Sequence, residues 1–189
     1  NFVNPAITAR IVLFVSFATQ MTTWPLPKMS TVTDATTGAT PLGVWATDKS
    51  VDVMTQFSNT DMFLGFIGGC VGEVSAFALL IGCLYLVWKK IISPIIPVAY
   101  IGTVFVIALV TSGSFSMALF HVFAGGVMLG AFFMATDYVT TPTLPIGKII
   151  FGVGCGLLTM VIRIWGAYPE GVSFSILLMN VATPLIEKY

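Results

Sequence analysis

Apolar runs of roughly eighteen residues or more recur along this chain, and a run of that length is the signature of a helix that crosses a bilayer. The chain is therefore constrained first of all to membrane-spanning helices. Its composition agrees: of 189 residues only 8% are charged, whereas soluble domains carry about a quarter. Eight Lys and Arg balance eight Asp and Glu, so no electrostatic argument for a nucleic-acid partner arises. The first residue is Asn rather than Met, with no signal peptide ahead of it, and the expectation is a chain lacking its natural beginning.

The hydrophobic pattern predicts an all-α integral membrane protein, a single membrane domain over 1–189 with about six transmembrane helices. They are placed near 6–24, 61–88, 95–112, 116–136, 147–165 and 172–187. Pro5 suits the first turn of the first helix, and Trp24-Pro25 closes it. The third follows Ser93-Pro94, the fifth opens after the breaker stretch TTPTLPIG, and the sixth carries Pro184 in its last turn. Residues 25–60 form the one long polar stretch, longer than an ordinary connection, and long loops of that kind are usually functional or disordered. Orientation follows from the cations. One side collects Arg10, Lys89, Lys90, Lys148 and Lys188, the other Lys28 and Lys49, with Arg163 inside the fifth span near that end. The richer side is cytoplasmic by the positive-inside rule, which puts 25–60 and its carboxylates on the non-cytoplasmic face.

Within that loop, DATTGATPLG packs an acid, three threonines and two glycines between membrane-grade segments. Asp, Thr and Gly in close order are ordinary turn formers. The pattern also resembles D-x-x-[ST]-G-A-T, the recognition sequence of flavin transferases, with Asp34, Thr37, Gly38, Ala39 and Thr40 in the matching positions. Small Gly38 and Ala39 would leave the Thr40 hydroxyl accessible, and Pro41 would bias Thr40 toward extended backbone.

Other stretches carry the same resemblance. NPAITARIVLFVSFATQMTTW, GGCVGEVSAFALLIG, GAFFMATDYVTTP and GKIIFGVGCGLLTMVIRIWGAYPEGVSFSILLMNVATPLIE fall in the order found in one membrane flavoprotein family. That family contains the D subunit of the Rnf complex and the B subunit of the sodium-pumping NADH:quinone reductase. A compact flavin loop and a prompt end after NVATPLIEKY look more like the Rnf side. Thr136-Asp137-Tyr138-Val139 departs from the family's frequent TDPV. The resemblance implies FMN esterified through its phosphate to Thr40, with Asp34, Thr37, Gly38 and Ala39 as the transferase's recognition motif. It also implies a noncovalent riboflavin among the helices, and an inner-membrane complex of several Rnf subunits moving electrons between ferredoxin and NAD with Na+ or H+ translocation. Family members are longer at the N-terminus and built as inverted repeats, so these six helices would be half of the bundle.

Glu73 is the most informative intramembrane residue. It lies twelve residues past Asp61, about 18 Å along a helix and close to mid-span. Gly65, Gly69, Gly72 and Ala76 form a small-residue stripe beside it, which suits close helix approach. A carboxyl at that depth is expensive unless it faces protein or water. It is either protonated and hydrogen-bonded across helices, or a group that handles an ion, a proton or a flavin. Asp137 ends the fourth helix on the side of Gly126 and Gly130, and Glu170 sits in the turn AYPEGV before the sixth. Both suit turn or capping roles, or a place in the ion pathway. Arg163 is expected to snorkel to the outer interface, the alternative being a pair with Glu170 or the flavin phosphate.

His121 has no Cys, Asp or Glu beside it and makes no metal site by itself. Asn180 reads as a hydrogen-bonding residue between helices. The glycines of FGVGCG do not match G-x-G-x-x-G and read as packing glycines. Cys70, Cys83 and Cys155 read as small buried hydrophobes. Two further classes fit the residues: a non-redox channel or transporter, which small-residue helices around a buried carboxyl would also suit, and a structural subunit anchoring redox partners in membrane lipid.

Overall fold

A computed structural model of the chain describes residues 3–22, 24–25, 37–38, 40–47, 57–70, 72–166 and 170–188. The helices begin with α1 (Pro5–Ser16), α2 (Ala18–Thr22), α3 (Pro41–Thr47), α4 (Asn59–Leu64) and α5 (Ala76–Trp88). They continue with α6 (Ile95–Ser112), α7 (Phe115–Phe123), α8 (Val127–Met134), α9 (Pro145–Trp165) and α10 (Val172–Ile186). Two short strands, β1 (Trp24–Pro25) and β2 (Thr37–Gly38), pair antiparallel and tie the beginning of the long loop to its Thr37-Gly38 stretch. Asp34, Ala39 and most of the loop lie outside the described residues.

The protein is an all-α integral membrane protein. Two helices, α6 and α9, are each long and apolar enough to cross a bilayer, and α7 with α8 makes a third when the bent pair is taken as one span. Shorter apolar helices α1, α5 and α10 supply the rest of the expected segments. Their outward faces stay apolar: Val98 and Val110 on α6 are about three-quarters exposed, as are Trp88 and Trp165 at helix ends. Exposed side chains of that kind suit lipid tails or a further apolar helix, and exposed indoles at helix ends suit the interfacial level.

Three of the six spans are interrupted where the sequence predicts continuous helices. The first breaks at Phe17, whose φ of −132° and ψ of 54° leave the helical region. Hydroxyl side chains there bond locally, Thr22 Oγ1 donating to the Ala18 carbonyl and Thr19 Oγ1 to Gln20. The second ends its α4 half at Gly65, left-handed at φ +101°, and resumes only when Ser75 caps α5. The glycines of the expected packing stripe are the cause. Each is about 1 kcal/mol worse than Ala in a helix, and the three of them, with Gly68, put four glycines between 65 and 72. Gly65 also lets the chain fold back on itself, since a Cβ there would lie 2.9 Å from Ser75 Cβ. The fourth breaks at Ala124-Gly125-Gly126, where Gly125 adopts φ +67° and the two halves meet at 64°. Its second half ends as a π-helix over Gly130–Met134.

The core is close-packed around α6 and α9. A Cβ on Gly152 would fall 2.8 Å from Ala99 Cβ, and one on Gly156 would fall 2.7 Å from Thr103 Cβ. The FGVGCG stretch is therefore a helix-packing face, as read from the sequence. Next to it Tyr100, fully buried, hydrogen-bonds Thr159 Oγ1 at 2.6 Å and Ser175 Oγ at 3.2 Å, joining α6, α9 and α10. Cys83 and Cys155 are buried free thiols, and Cys70 is half-buried.

Candidate functional site

Thr40 is the N-cap of α3. Its carbonyl accepts from Val44 N–H at 3.0 Å, and its Oγ1 accepts from Gly43 N–H at 3.1 Å. Pro41 follows at the first helical position, where its missing N–H does no harm. Pro41, Leu42 and Trp45 form the buried face of this short helix. Leu42 and Trp45 pack with Met62, Ile67, Phe120 and Ala124, so α3 rests on the interrupted second and fourth spans at once. Thr40 itself is half-buried. Among the described residues its oxygen acts as an acceptor, toward Gly43 N–H, so an ester bond that replaced the hydroxyl proton would leave the cap in place. The threonine therefore fits a phosphoester-linked flavin. Thr37 and Gly38 lie in β2, within three residues of that cap.

The charged residues meet at the break between α7 and α8. Arg163, expected to snorkel outward, is instead 1% exposed. Its Nη1 donates to the His121 carbonyl at 2.6 Å, Nη2 to the Ala124 carbonyl at 2.9 Å and Nε to the Glu170 carbonyl at 3.3 Å. The interrupted helix leaves its last carbonyls without intrahelical partners, and a cation at that negative end satisfies them. This is why the guanidinium is drawn inward. The aliphatic stem of Arg163 belongs to α9, whose neighbouring Gly166 ends the helix.

Glu170 and Glu73 complete the group. Arg10 Nη2 donates to Glu170 Oε1 at 2.7 Å and lies 3.6 Å from Glu73 Oε2. A Cβ on Gly126 would sit 2.9 Å from Glu73 Oε2 and 3.0 Å from Glu170 Oε1, so only glycine lets both carboxylates approach the break. Two carboxylates and two guanidiniums converge on one helix interruption, and their formal charges cancel. Contrary to the expectation of a place mid-way along a helix, Glu73 lies in the non-helical stretch between α4 and α5 and points at Arg10. Glu73 Oε2 is buried without a hydrogen-bond partner. Asp137 stands apart, taking Thr140 Oγ1 at 3.1 Å and Asn4 Nδ2 at 3.4 Å in the turn after α8. His121 lies buried under α3, and among the described residues no cluster of His, Cys, Asp and Glu could hold a metal ion. Asn180 is buried with its Nδ2 unpaired.

Counting Arg10 among the cytoplasmic cations misses its pairing with Glu170. An arginine inside an apolar run is itself the available signal, because such a charge needs a partner. Removing it leaves Lys89, Lys90, Lys148 and Lys188 against Lys28 and Lys49, so the orientation count keeps its sign. Nothing in the local sequence marks Leu42 or Trp45.

Along residues 1–189 the chain matches the family described as NQR2, RnfD, RnfE. It belongs to that family. It is 50% identical, over its whole length and 57% of the relative's, to the D subunit of the Na(+)-translocating ferredoxin:NAD(+) oxidoreductase complex of Acetobacterium woodii. It is 46% identical, over its whole length and 60% of the relative's, to the D subunit of the proton-translocating ferredoxin:NAD(+) oxidoreductase complex of Clostridium ljungdahlii. Identity to the D subunit of the ion-translocating oxidoreductase complex of Pseudomonas aeruginosa is 38%, again over the whole chain and 60% of the relative. The chain thus spans a little under two-thirds of these family members.

Proposed function

We propose that this chain is the flavin-carrying membrane portion of the D subunit of an Rnf-type complex in the cell inner membrane. In this reading FMN is esterified to Thr40 by a flavin transferase that recognises Asp34, Thr37, Gly38 and Ala39. Once bound, the flavin accepts and releases one or two electrons on the path between ferredoxin and NAD. The observation that carries the reading is whole-chain similarity to D subunits named for ferredoxin:NAD(+) oxidoreduction, in a chain that keeps a transferase motif ending at a helix-capping threonine.

The chain's own residues supply placement. Thr40 holds the ester oxygen at the start of α3, and α3 is pinned on the interrupted second and fourth spans. The long loop faces the non-cytoplasmic side by the count of lysines. Glu73 and Glu170, drawn together at Gly126 and neutralised by Arg10, are the carboxylates for coupled ion movement. The other subunits of the complex are the electron partners, and membrane lipid covers the exposed apolar faces.

The test is peptide mass spectrometry across residues 29–49 of the full-length subunit, co-expressed with a flavin transferase. The expected result is the mass of FMN on Thr40, absent from Thr40→Val. A bare Thr40 in protein matured with the enzyme overturns the reading and leaves the channel or anchoring alternatives. Denaturation separates the second flavin: riboflavin is released, whereas esterified FMN stays with the polypeptide. Reconstituted complex driven by reduced ferredoxin, with NAD or quinone as acceptor, then reads which acceptor is used and whether Na+ or H+ moves.

A further inference from the structure

Between the attachment threonine and the charged group lies a contact that the electron-transfer reading does not use. The Trp45 ring meets the His121 ring edge-on, with centroids 4.8 Å apart and planes at 88°. His121 is the residue whose carbonyl takes Arg163 Nη1. One turn earlier on α3, Leu42 presses on Gly125: a Cβ there would lie 3.1 Å from Leu42 Cδ2 and 3.2 Å from Arg163 Nη2. The two anchors of α3 thus land on His121 and Gly125, on either side of the carbonyl end that Arg163 holds.

A seven-residue helix is too short to persist without tertiary contacts, so its position comes from these anchors. Thr40 is bonded into its first turn by side chain and backbone alike. Whatever fixes Trp45 therefore fixes the Thr40 oxygen.

We propose that Trp45, seated edge-on against His121, is the positioning residue for Thr40, and that it registers the group carried there to the Arg163-capped break between α7 and α8. This rests on the flavin reading of Thr40. A residue that only packs would affect yield and melting. A positioning residue changes where the oxygen sits while the motif before it remains a substrate for the transferase.

The experiment uses the full-length subunit in its assembled complex, with Trp45→Ala and Trp45→Phe. Both variants are expected to keep the FMN mass on Thr40 and the KM values for ferredoxin and NAD. In Trp45→Ala the kcat falls roughly tenfold or more, as misplacement of a reacting group by about an ångström allows. Trp45→Phe, which restores a ring edge, recovers most of it. A flavin-independent measurement places nitroxides on Thr40→Cys and on Val110→Cys at the lipid-facing surface of α6, in a Cys70→Ser background. The spread of distances between them is expected to widen in Trp45→Ala and to stay narrow in Trp45→Phe. Trp45→Leu, apolar but without a ring, takes the place of the alanine variant should that one fail to assemble. Parental kcat together with an unchanged spread in the ringless variant overturns the proposal. A bare Thr40 in the parent, with the spread still widening, instead removes the flavin reading and leaves Trp45 as the residue that positions Thr40.

Discussion

Replacing Arg163 with methionine tests whether a buried guanidinium holds the interrupted span together. Methionine keeps an unbranched apolar stem that fills irregular space, so the change removes charge and donors with little loss of volume. The His121 and Ala124 carbonyls lose their Arg163 bonds of 2.6 and 2.9 Å. The Glu170 carbonyl still accepts from Val172 N–H at 2.8 Å, so it counts for less. Two buried acceptors left unsatisfied at about 1–3 kcal/mol each give about 4 kcal/mol of destabilisation. For a chain of this size that is about 8–16 °C in melting temperature. The assay is reactivity of Cys83 and Cys155 toward a thiol dye in the detergent-solubilised complex, in a Cys70→Ser background, because both thiols are buried in the fold. Arg163→Lys keeps the charge but offers no planar fork to two carbonyls at once, and is expected to fall between parent and methionine variant. Melting of Arg163→Met within about 2 °C of the parent would mean that the guanidinium is not what satisfies the end of α7.

Two further outcomes follow from the same geometry. Arg10→Gln leaves Glu73 and Glu170 facing each other with the guanidinium that pairs with them gone and only Arg163 nearby, and is expected to destabilise by about 2–3 kcal/mol, less than for a fully buried pair. Adding Glu170→Gln should return part of that, giving a coupling of at least about 0.5 kcal/mol in a double-mutant cycle on the same thiol assay; additive losses would contradict the pairing. Gly126→Ala pushes a methyl to within 3.0 Å of both carboxylates, whereas a Cβ on Gly72 meets nothing within 4 Å. Gly126→Ala is therefore expected to abolish coupled ion uptake by reconstituted complex while the complex still assembles, with Gly72→Ala behaving as the parent; equal behaviour of the two would refute the crowding argument.

Membrane character, the approximate place of six helical segments and the packing role of FGVGCG were all legible, because apolar run length and small-residue spacing act locally along the chain. Helix continuity was not. Gly65, Gly69 and Gly72 fit a helical stripe as well as they fit a break, and spacing alone does not decide between them. What decides is whether tertiary partners exist for the freed carbonyls. At α7 those partners are the donors of Arg163, 42 residues from His121 and 39 from Ala124 in sequence. The same distance in sequence hid the pair of Arg10 with Glu170, separated by 160 residues. The snorkelling expectation for Arg163 fails for a related reason: a cation near a helix end ordinarily reaches for the interface, unless an unsatisfied helix terminus lies closer.

The broken fourth span and the inward-facing Arg163 have one origin. A continuous helix satisfies its own backbone and has no use for a buried charge. Once glycine breaks the fourth span, the freed carbonyls at the end of α7 are met by a cation. The cation in turn makes it tolerable to bury carboxylates nearby, and Gly126 gives them room. The break, Arg163, Glu73, Glu170 and Arg10 are thus one interdependent arrangement, each part costly alone. Helix α3 was the remaining element with a buried face to place, and Leu42 and Trp45 place it on that same break. Thr40, at the start of α3, and the charged group are neighbours because a glycine pair in one apolar span gave both of them somewhere to be.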